Sequence, residues 1–101
     1  MKILYFARLR QIIGRGSDEV EVPPSVTTVS ELMDFLSLRD DGLAAVFADR
    51  RTIKAAVDQT HAQFDAAITG AREVAFFPPV TGSGFTLLQL LGKVTNSFNL
   101  N

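Results

Sequence analysis

Apolar residues concentrate in two short runs, one near the N-terminus and one at residues 73–77. In residues 2–9, apolar side chains occupy both odd and even positions. Because successive residues of a strand point to opposite faces of a sheet, this pattern predicts a central strand that is covered on both sides. Residues 9–16 contain Gly14 and Gly16 and are predicted to form a connection. Residues 18–22 alternate charged and apolar side chains, which predicts an antiparallel partner strand.

A helix is predicted to begin at Thr28. Thr28-Val29-Ser30-Glu31 has the capping-box pattern, in which the Thr28 hydroxyl accepts the Glu31 N–H and the Glu31 carboxylate reaches back to Thr28. Apolar residues then recur at helical spacing, so one stripe is expected to pack on a sheet. That stripe consists of Val29, Leu32, Met33 and Leu36.

The rest of the pattern predicts a second, shorter helix around Leu43 and Phe47 and strands at residues 53–57, 61–64 and 73–77. The two most apolar strands, the first and the last, are expected to lie side by side. This order predicts an α+β fold of the β-grasp type, with a mixed sheet wrapped around one main helix. A ferredoxin-like sandwich is the alternative, but it needs a second long helix before the last strand, and no such pattern is present.

Composition narrows the possible functions. The 101 residues suit one domain, and the net charge of −1 argues against a nucleic-acid surface, which needs excess positive charge. Cysteine is absent, and the single His61 cannot form a metal site alone, so no metal is expected. No secretory signal is evident at the N-terminus, and residues 85–101 make a poor membrane span. We therefore expect a cytoplasmic protein with no membrane partner.

The last predicted strand runs into Pro78 and Pro79. Proline lacks an N–H and fixes φ, so the chain cannot continue as an interior strand. Residues 78–83 can reach about 20 Å when extended. This predicts a stiff, slender tail that can enter the cleft of another protein.

Four segments together are similar to a known family. MKILYFARLR (1–10), AAVDQT (55–60), Phe64-Asp65 and above all EVAFFPPVTG (73–82) resemble the small subunit of molybdopterin synthase. These proteins, the MoaD family, are ubiquitin-like sulfur carriers. The resemblance implies a sulfur-carrier domain over residues 1–82, followed by an atypical extension over residues 83–101.

The resemblance also implies a chemistry. An E1-like adenylating enzyme activates the C-terminal glycine with ATP, sulfur displaces AMP to give a thiocarboxylate, and the sulfur passes to a cyclic pyranopterin precursor in the large synthase subunit. The implied partners are therefore the large subunit and the E1-like enzyme. No permanent cofactor is implied, since ATP and AMP are used only transiently, and the carrier is not an enzyme alone.

The family pattern carries over to particular residues. Gly82 matches the penultimate glycine, and Ser83 stands at the position of the terminal glycine. Phe76 and Phe77 point to opposite faces of their strand, and Phe77 is expected to anchor a partner. Arg8 is interpreted as a solvated strand end and His61 as an ordinary exposed histidine. The implied partner-binding residues are Phe6, Arg10, Phe77, Pro78, Pro79, Val80 and Thr81.

The chain departs from the family after Gly82, because a peptide bond to further residues leaves no carboxylate to adenylate. The chemistry is therefore blocked unless residues 83–101 are removed. Three origins stay open: a removable extension, a native segment, or an added peptide or shifted reading frame, which Gly-Ser-Gly favours. As a native segment, it has a pattern that places apolar residues on one helical face. These are Leu87, Leu88, Leu91, Val94 and Phe98.

Two other functions are compatible with this fold. A non-catalytic ubiquitin-like interaction domain would use the apolar tail and carry no sulfur. A carrier for another pathway, such as thiamin synthesis, would share the fold and the terminal chemistry, but the FFPPVTG run argues against it.

Overall fold

The computed structural model describes residues 1–79, which form a mixed sheet of five strands and three α-helices. A 3₁₀ turn (Arg50–Thr52) follows the third helix. The strands are β1 (Lys2–Tyr5), β2 (Ser17–Glu19), β3 (Lys54–Val57), β4 (Thr60–Ala62) and β5 (Glu73–Phe77). The helices are α1 (Ala7–Ile13), α2 (Val29–Arg39) and α3 (Asp41–Phe47).

The strand order across the sheet is β2-β1-β5-β3-β4. β1 and β5 pair in parallel, while every other pairing is antiparallel. The predicted adjacency of the first and last strands is thus confirmed, and with it the β-grasp arrangement. Within residues 1–79, no second long helix precedes β5, so the ferredoxin-like alternative is rejected.

The first strand is shorter than predicted, and the prediction of a strand through Leu9 is wrong. Phe6 still donates its N–H to the Phe76 carbonyl at 3.1 Å, but Ala7 has a φ of 53°, which turns the chain into α1. Leu9 and Ile13 then lie one helical turn apart, with Leu9 buried in the core. A short apolar run fits a strand and a helix equally well, so the pattern alone did not reveal the change.

The predicted connection at residues 9–16 is largely this helix and its C-terminal cap. Gly14 has a φ of 87° and donates its N–H to the Arg10 carbonyl at 2.9 Å. Only glycine takes this left-handed conformation without steric cost, which explains why α1 ends there. Arg8 and Arg10 are exposed residues of α1, so the interpretation of Arg8 as a strand end is wrong.

The main helix begins where the sequence predicts. Thr28 caps α2, and its hydroxyl accepts the Glu31 N–H at 3.2 Å. The predicted return contact differs, because Glu31 Oε1 accepts hydrogen bonds from the N–H and hydroxyl of Thr27 rather than from Thr28. The predicted apolar stripe is confirmed: Val29, Leu32, Met33 and Leu36 are all buried.

The predicted second, shorter helix is α3, and a single residue, Asp40, separates it from α2. Asp40 ends α2 and caps α3, since its side chain accepts the N–H groups of Gly42 and Leu43 at 2.7 and 3.1 Å. These hydrogen bonds, that of Leu43 first, lower the pKa of Asp40. One aspartate therefore marks the end of α2 and satisfies two backbone N–H groups at the start of α3.

A tight turn joins β3 to β4. Asp58 and Gln59 both have positive φ, 49° and 69°, which is the turn geometry that matches the twist of a two-stranded hairpin. Asp58 Oδ1 also accepts the N–H groups of Arg72 and Glu73 at 2.9 and 3.0 Å. The Asp58 side chain therefore ties this hairpin to the start of β5.

The other predicted strands are found with altered bounds. β2 spans Ser17–Glu19 rather than residues 18–22, β3 begins at Lys54, and β4 spans Thr60–Ala62 rather than residues 61–64. β5 has the bounds that the sequence predicts. No helix within the described part of the chain is long and apolar enough to cross a membrane.

Candidate functional site

Strand β5 separates two apolar layers. Val74 and Phe76 belong to the main core, where the Phe76 ring lies 4.9 Å from the Phe47 ring of α3, centroid to centroid. Ala75 and Phe77 belong to a second cluster on the other face of the sheet. The predicted opposite orientation of Phe76 and Phe77 is confirmed, and it follows from the period of two along a strand.

The second cluster contains side chains from three neighbouring strands, β1, β5 and β3. Register places Ala75 of β5 opposite both Leu4 of β1 and Ala56 of β3. The two alanines are small, so the middle of this face is lower than the rings of Phe6 and Phe77 beside it. We call these residues the second apolar face; its members are Leu4, Phe6, Ala56, Ala75 and Phe77.

Polar side chains border the second apolar face on the β3–β4 side. His61 is exposed and pairs in register with Ala56, and its ring centroid lies 6.5 Å from that of Phe77 in an edge-on arrangement. Lys54 is exposed and pairs in register with Phe77. An apolar centre with a polar border is the usual layout of a protein interface.

The predicted site residues that the structure describes fall into three groups. Phe6 and Phe77 lie together on the second apolar face, with 9% and 1% of their surfaces exposed. Pro78 and Pro79 follow directly and are half-buried. Arg10, on α1, is exposed and lines a surface depression between α1 and β2 with Arg15 and neighbouring residues.

The remaining predicted site residues, Val80, Thr81, Gly82 and Ser83, lie outside the described residues. The roles assigned to all these positions stay predictions. Sequence reasoning missed Leu4, Ala56 and Ala75 as parts of the second apolar face. Two of them carried a signal, since Leu4 and Ala75 stand two residues before Phe6 and Phe77 and so share their faces.

A connected polar network lies away from this face, between β1, β2 and the junction of α2 and α3. Asp18 accepts the Tyr5 hydroxyl at 2.8 Å and Arg15 Nε at 2.7 Å, and Arg15 also donates to Asp40 at 2.9 Å. Burial raises the pKa of Tyr5, and the Arg15 hydrogen bond lowers the pKa of Asp18. These groups satisfy one another and join β1 and β2 to the α2–α3 corner, which is a structural task.

Within residues 1–79, no three His, Cys, Asp or Glu side chains are grouped so that they could hold a metal ion. On the side of β5 away from the helices, the described residues bring together a small apolar cluster, and Pro78 and Pro79 follow it directly in the chain.

The parallel pairing of β1 with β5, the helices on one face of the sheet and the central position of β5 define a ubiquitin-like protein of the β-grasp fold. The model of the ThiS family matches residues 3–82. The chain belongs to the ThiS family.

Curated proteins with similar sequences are sulfur carrier subunits. The molybdopterin synthase sulfur carrier subunit of Escherichia coli (strain K12) is 40% identical over 82 residues, which are 81% of this chain and 98% of that protein. The protein of the same name from Haemophilus influenzae is 29% identical with the same coverage. The resemblance to the MoaD sulfur carriers is thus confirmed.

Solved structures agree with the fold. SAMP1 from Haloferax volcanii matches with a TM-score of 0.63 at 28% identity, covering 81% of this chain and 97% of that one. A putative molybdopterin converting factor, subunit 1, from Pyrococcus furiosus matches with a TM-score of 0.61 at 27% identity, covering 78% and 95%. The β-grasp prediction is therefore confirmed both by topology and by likeness to known structures.

Proposed function

We propose that this protein is a sulfur carrier in molybdenum cofactor biosynthesis and serves as the small subunit of a molybdopterin synthase. The observation that carries the proposal is the 40% identity to the Escherichia coli sulfur carrier subunit over nearly the whole of that protein. The ThiS family also suits the thiamin-type carrier considered above, but the curated relatives favour the molybdopterin pathway.

The reactive group in this proposal is a C-terminal carboxylate at the end of the tail. A carboxylate oxygen is a poor leaving group, so an E1-like enzyme first joins it to the α-phosphate of ATP, releasing pyrophosphate. Sulfide then attacks the acyl carbon, and the bond between that carbon and the oxygen of AMP breaks. AMP leaves, and the protein ends in a thiocarboxylate. The protein needs no resident cofactor for these steps, because the nucleotide enters and leaves with the activating enzyme.

The described residues suit the presentation of such a tail. β5 is the middle strand of the sheet, and it leads straight into Pro78 and Pro79. Proline restricts the unbound chain, so less conformational entropy is lost when the tail enters a narrow passage. Phe6 and Phe77 lie where the tail departs, which supports their predicted role in binding the large subunit.

The extension determines whether this chain is active. Residues 83–101 place a peptide bond where the carrier needs a free carboxylate, and the family match ends at residue 82. We propose that the carrier is inactive until the chain is cut after Gly82 or Ser83. In keeping with its pathway, the protein is expected to work in the cytoplasm.

Mass spectrometry of two chain lengths tests the proposal. The chain ended at residue 83 with Ser83→Gly finishes in two glycines, and we expect it to form an acyl adenylate with an E1-like adenylating enzyme and ATP. Adding sulfide should then replace one oxygen by sulfur in the intact mass. The full 101-residue chain is the matched control and should show neither mass change.

Circular dichroism of both proteins establishes that the shorter chain is folded. A folded shorter chain that gains neither AMP nor sulfur would overturn the carrier function. If the full chain reacts as readily as the shorter one, the requirement for cleavage is wrong.

A further inference from the structure

A groove of about 210 Å³ lies between helices α1 and α3. Its lining is mainly apolar, with Leu9 and Ile53 buried and Val46 half-buried. Ile12 also lines it, and 55% of the Ile12 surface is exposed. Because a water molecule takes up about 30 Å³ of liquid, the groove has room for one aliphatic side chain from another molecule.

Leu38 of α2 is the other large apolar side chain that is exposed within residues 1–79, with 89% of its surface in solvent. Phe35, three residues earlier, shares its side of the helix and is half-buried. The Arg39 guanidinium lies over the Phe35 ring, 5.4 Å from its centroid. One exposed leucine is ordinary, but this molecule carries both a projecting aliphatic side chain and a groove with room for it.

The groove and the surroundings of Leu38 each carry one charge of either sign. Arg8 of α1 and Asp49, which follows α3, line the groove. Asp34 stands one helical turn before Leu38, and Arg39 is the next residue after it. One orientation of a docked second molecule sets Asp34 against Arg8. The same orientation sets Arg39 against Asp49, whereas the reverse orientation opposes like charges.

These charges are able to bind a second molecule. Asp34 forms an ion pair with Arg50 of its own chain, and Asp49 forms one with Arg51 at 3.1 Å. Both carboxylates are exposed, and a carboxylate accepts several hydrogen bonds, so each has capacity for a further donor. Within residues 1–79, the guanidinium groups of the two exposed arginines have no carboxylate at bridging distance; these are Arg8 and Arg39.

We propose that this protein associates with copies of itself, with Leu38 of one molecule entering the α1–α3 groove of the next. The contact joins two different surfaces, so each molecule can donate one leucine and receive another, and association gives chains or rings rather than a two-fold dimer. One leucine and its neighbours cover less than the roughly 1,200 Å² of a stable complex, so the contact is weak. The net charge of −1 opposes it little. The inference goes beyond the carrier function and does not depend on it.

Sedimentation velocity of the full 101-residue chain, at concentrations up to about 1 mM, tests the proposal. We expect the average sedimentation coefficient to rise with concentration. Ile12→Asp places a charge in the groove and Leu38→Asp removes the projecting side chain, so each should weaken association by a factor of about ten or more. Gln11→Glu is the matched control, because it adds the same charge at an exposed position of α1 outside the groove, and it should associate like the unsubstituted chain.

A mixture of the two variants tests the pairing of the two surfaces. The Leu38→Asp chain keeps an intact groove and the Ile12→Asp chain keeps its Leu38. The mixture should therefore form one-to-one dimers although neither variant associates alone. Longer chains cannot form, because each molecule then has only one working surface.

Three results would each overturn the proposal. The unsubstituted chain could stay monomeric at about 1 mM. The Leu38→Asp chain could associate as strongly as the unsubstituted one, which would mean that another surface makes the contact. The mixture could stay monomeric while circular dichroism shows both variants to be folded. None of these measurements uses an activating enzyme or a synthase subunit, so their outcome is independent of the carrier function.

Discussion

Asp18 shows at the scale of one residue how a surface carboxylate stabilises the sheet. It accepts hydrogen bonds from the buried Tyr5 hydroxyl and from Arg15, and the Arg15 contact lowers its pKa. We expect Asp18→Asn to lower the free energy of unfolding by about 1–2 kcal/mol at pH 7, because a charged acceptor is lost. Urea denaturation measures this difference.

The same pKa shift predicts the pH dependence of that difference. A carboxylate whose pKa is lower in the folded state stabilises the fold fully above its unfolded pKa, which is about 3.9. That stabilisation is lost as the pH falls through the lower, folded value. The Asp18→Asn penalty should therefore shrink below about pH 4. Asp65→Asn, at an exposed loop position, is the control; a penalty at Asp18 that is equal at pH 7 and pH 2 contradicts the argument.

At the scale of an element, helix α2 depends on its first residues. The Thr28 hydroxyl accepts the Glu31 N–H, one of the four that the helix itself leaves without a partner. Thr28→Ala should reduce the free energy of unfolding by about 1 kcal/mol. Thermal unfolding followed by circular dichroism will show it as a lower melting temperature.

Thr28→Ser is the matched control for the cap, since it keeps the oxygen and removes only a methyl group. It should recover most of the lost stability. If serine and alanine destabilise the protein equally, the methyl group and not the hydrogen bond is responsible.

At the scale of the whole molecule, Phe76 connects the central strand to the helical layer. It is fully buried and packs on Phe47, so Phe76→Ala should cost about 3–5 kcal/mol. Domains of this kind are stable by only about 5–15 kcal/mol, so the variant should be close to unfolding at 37 °C. The midpoint of urea denaturation measures the loss.

Phe35→Ala is the comparison for this prediction, because Phe35 of α2 is only half-buried at the edge of the core. Its cost should be about 1 kcal/mol, as for an average substitution. Similar losses at both positions would mean that the main core is not organised around β5.

Much of the fold was predictable because its signals are local. The Thr28 cap, the apolar stripe of α2 and the bounds of β5 each follow from a few neighbouring residues. The candidate site was predictable in part for the same reason, since Phe76 and Phe77 must point apart and Pro78 must end the strand. Local chemistry of this kind acts whatever surrounds it.

The α2 stripe and the abrupt end of β5 could be read from neighbouring residues alone, whereas helix α1 could not. The end of β1 and the residues that join Phe77 on the second apolar face became visible only in the folded chain. The apolar run after Tyr5 fits either a strand or a helix, and the packing of Leu9 in the core selects the helix. Ala56 and Ala75 stand opposite each other through the register of β3 and β5, and register depends on residues far apart in the chain.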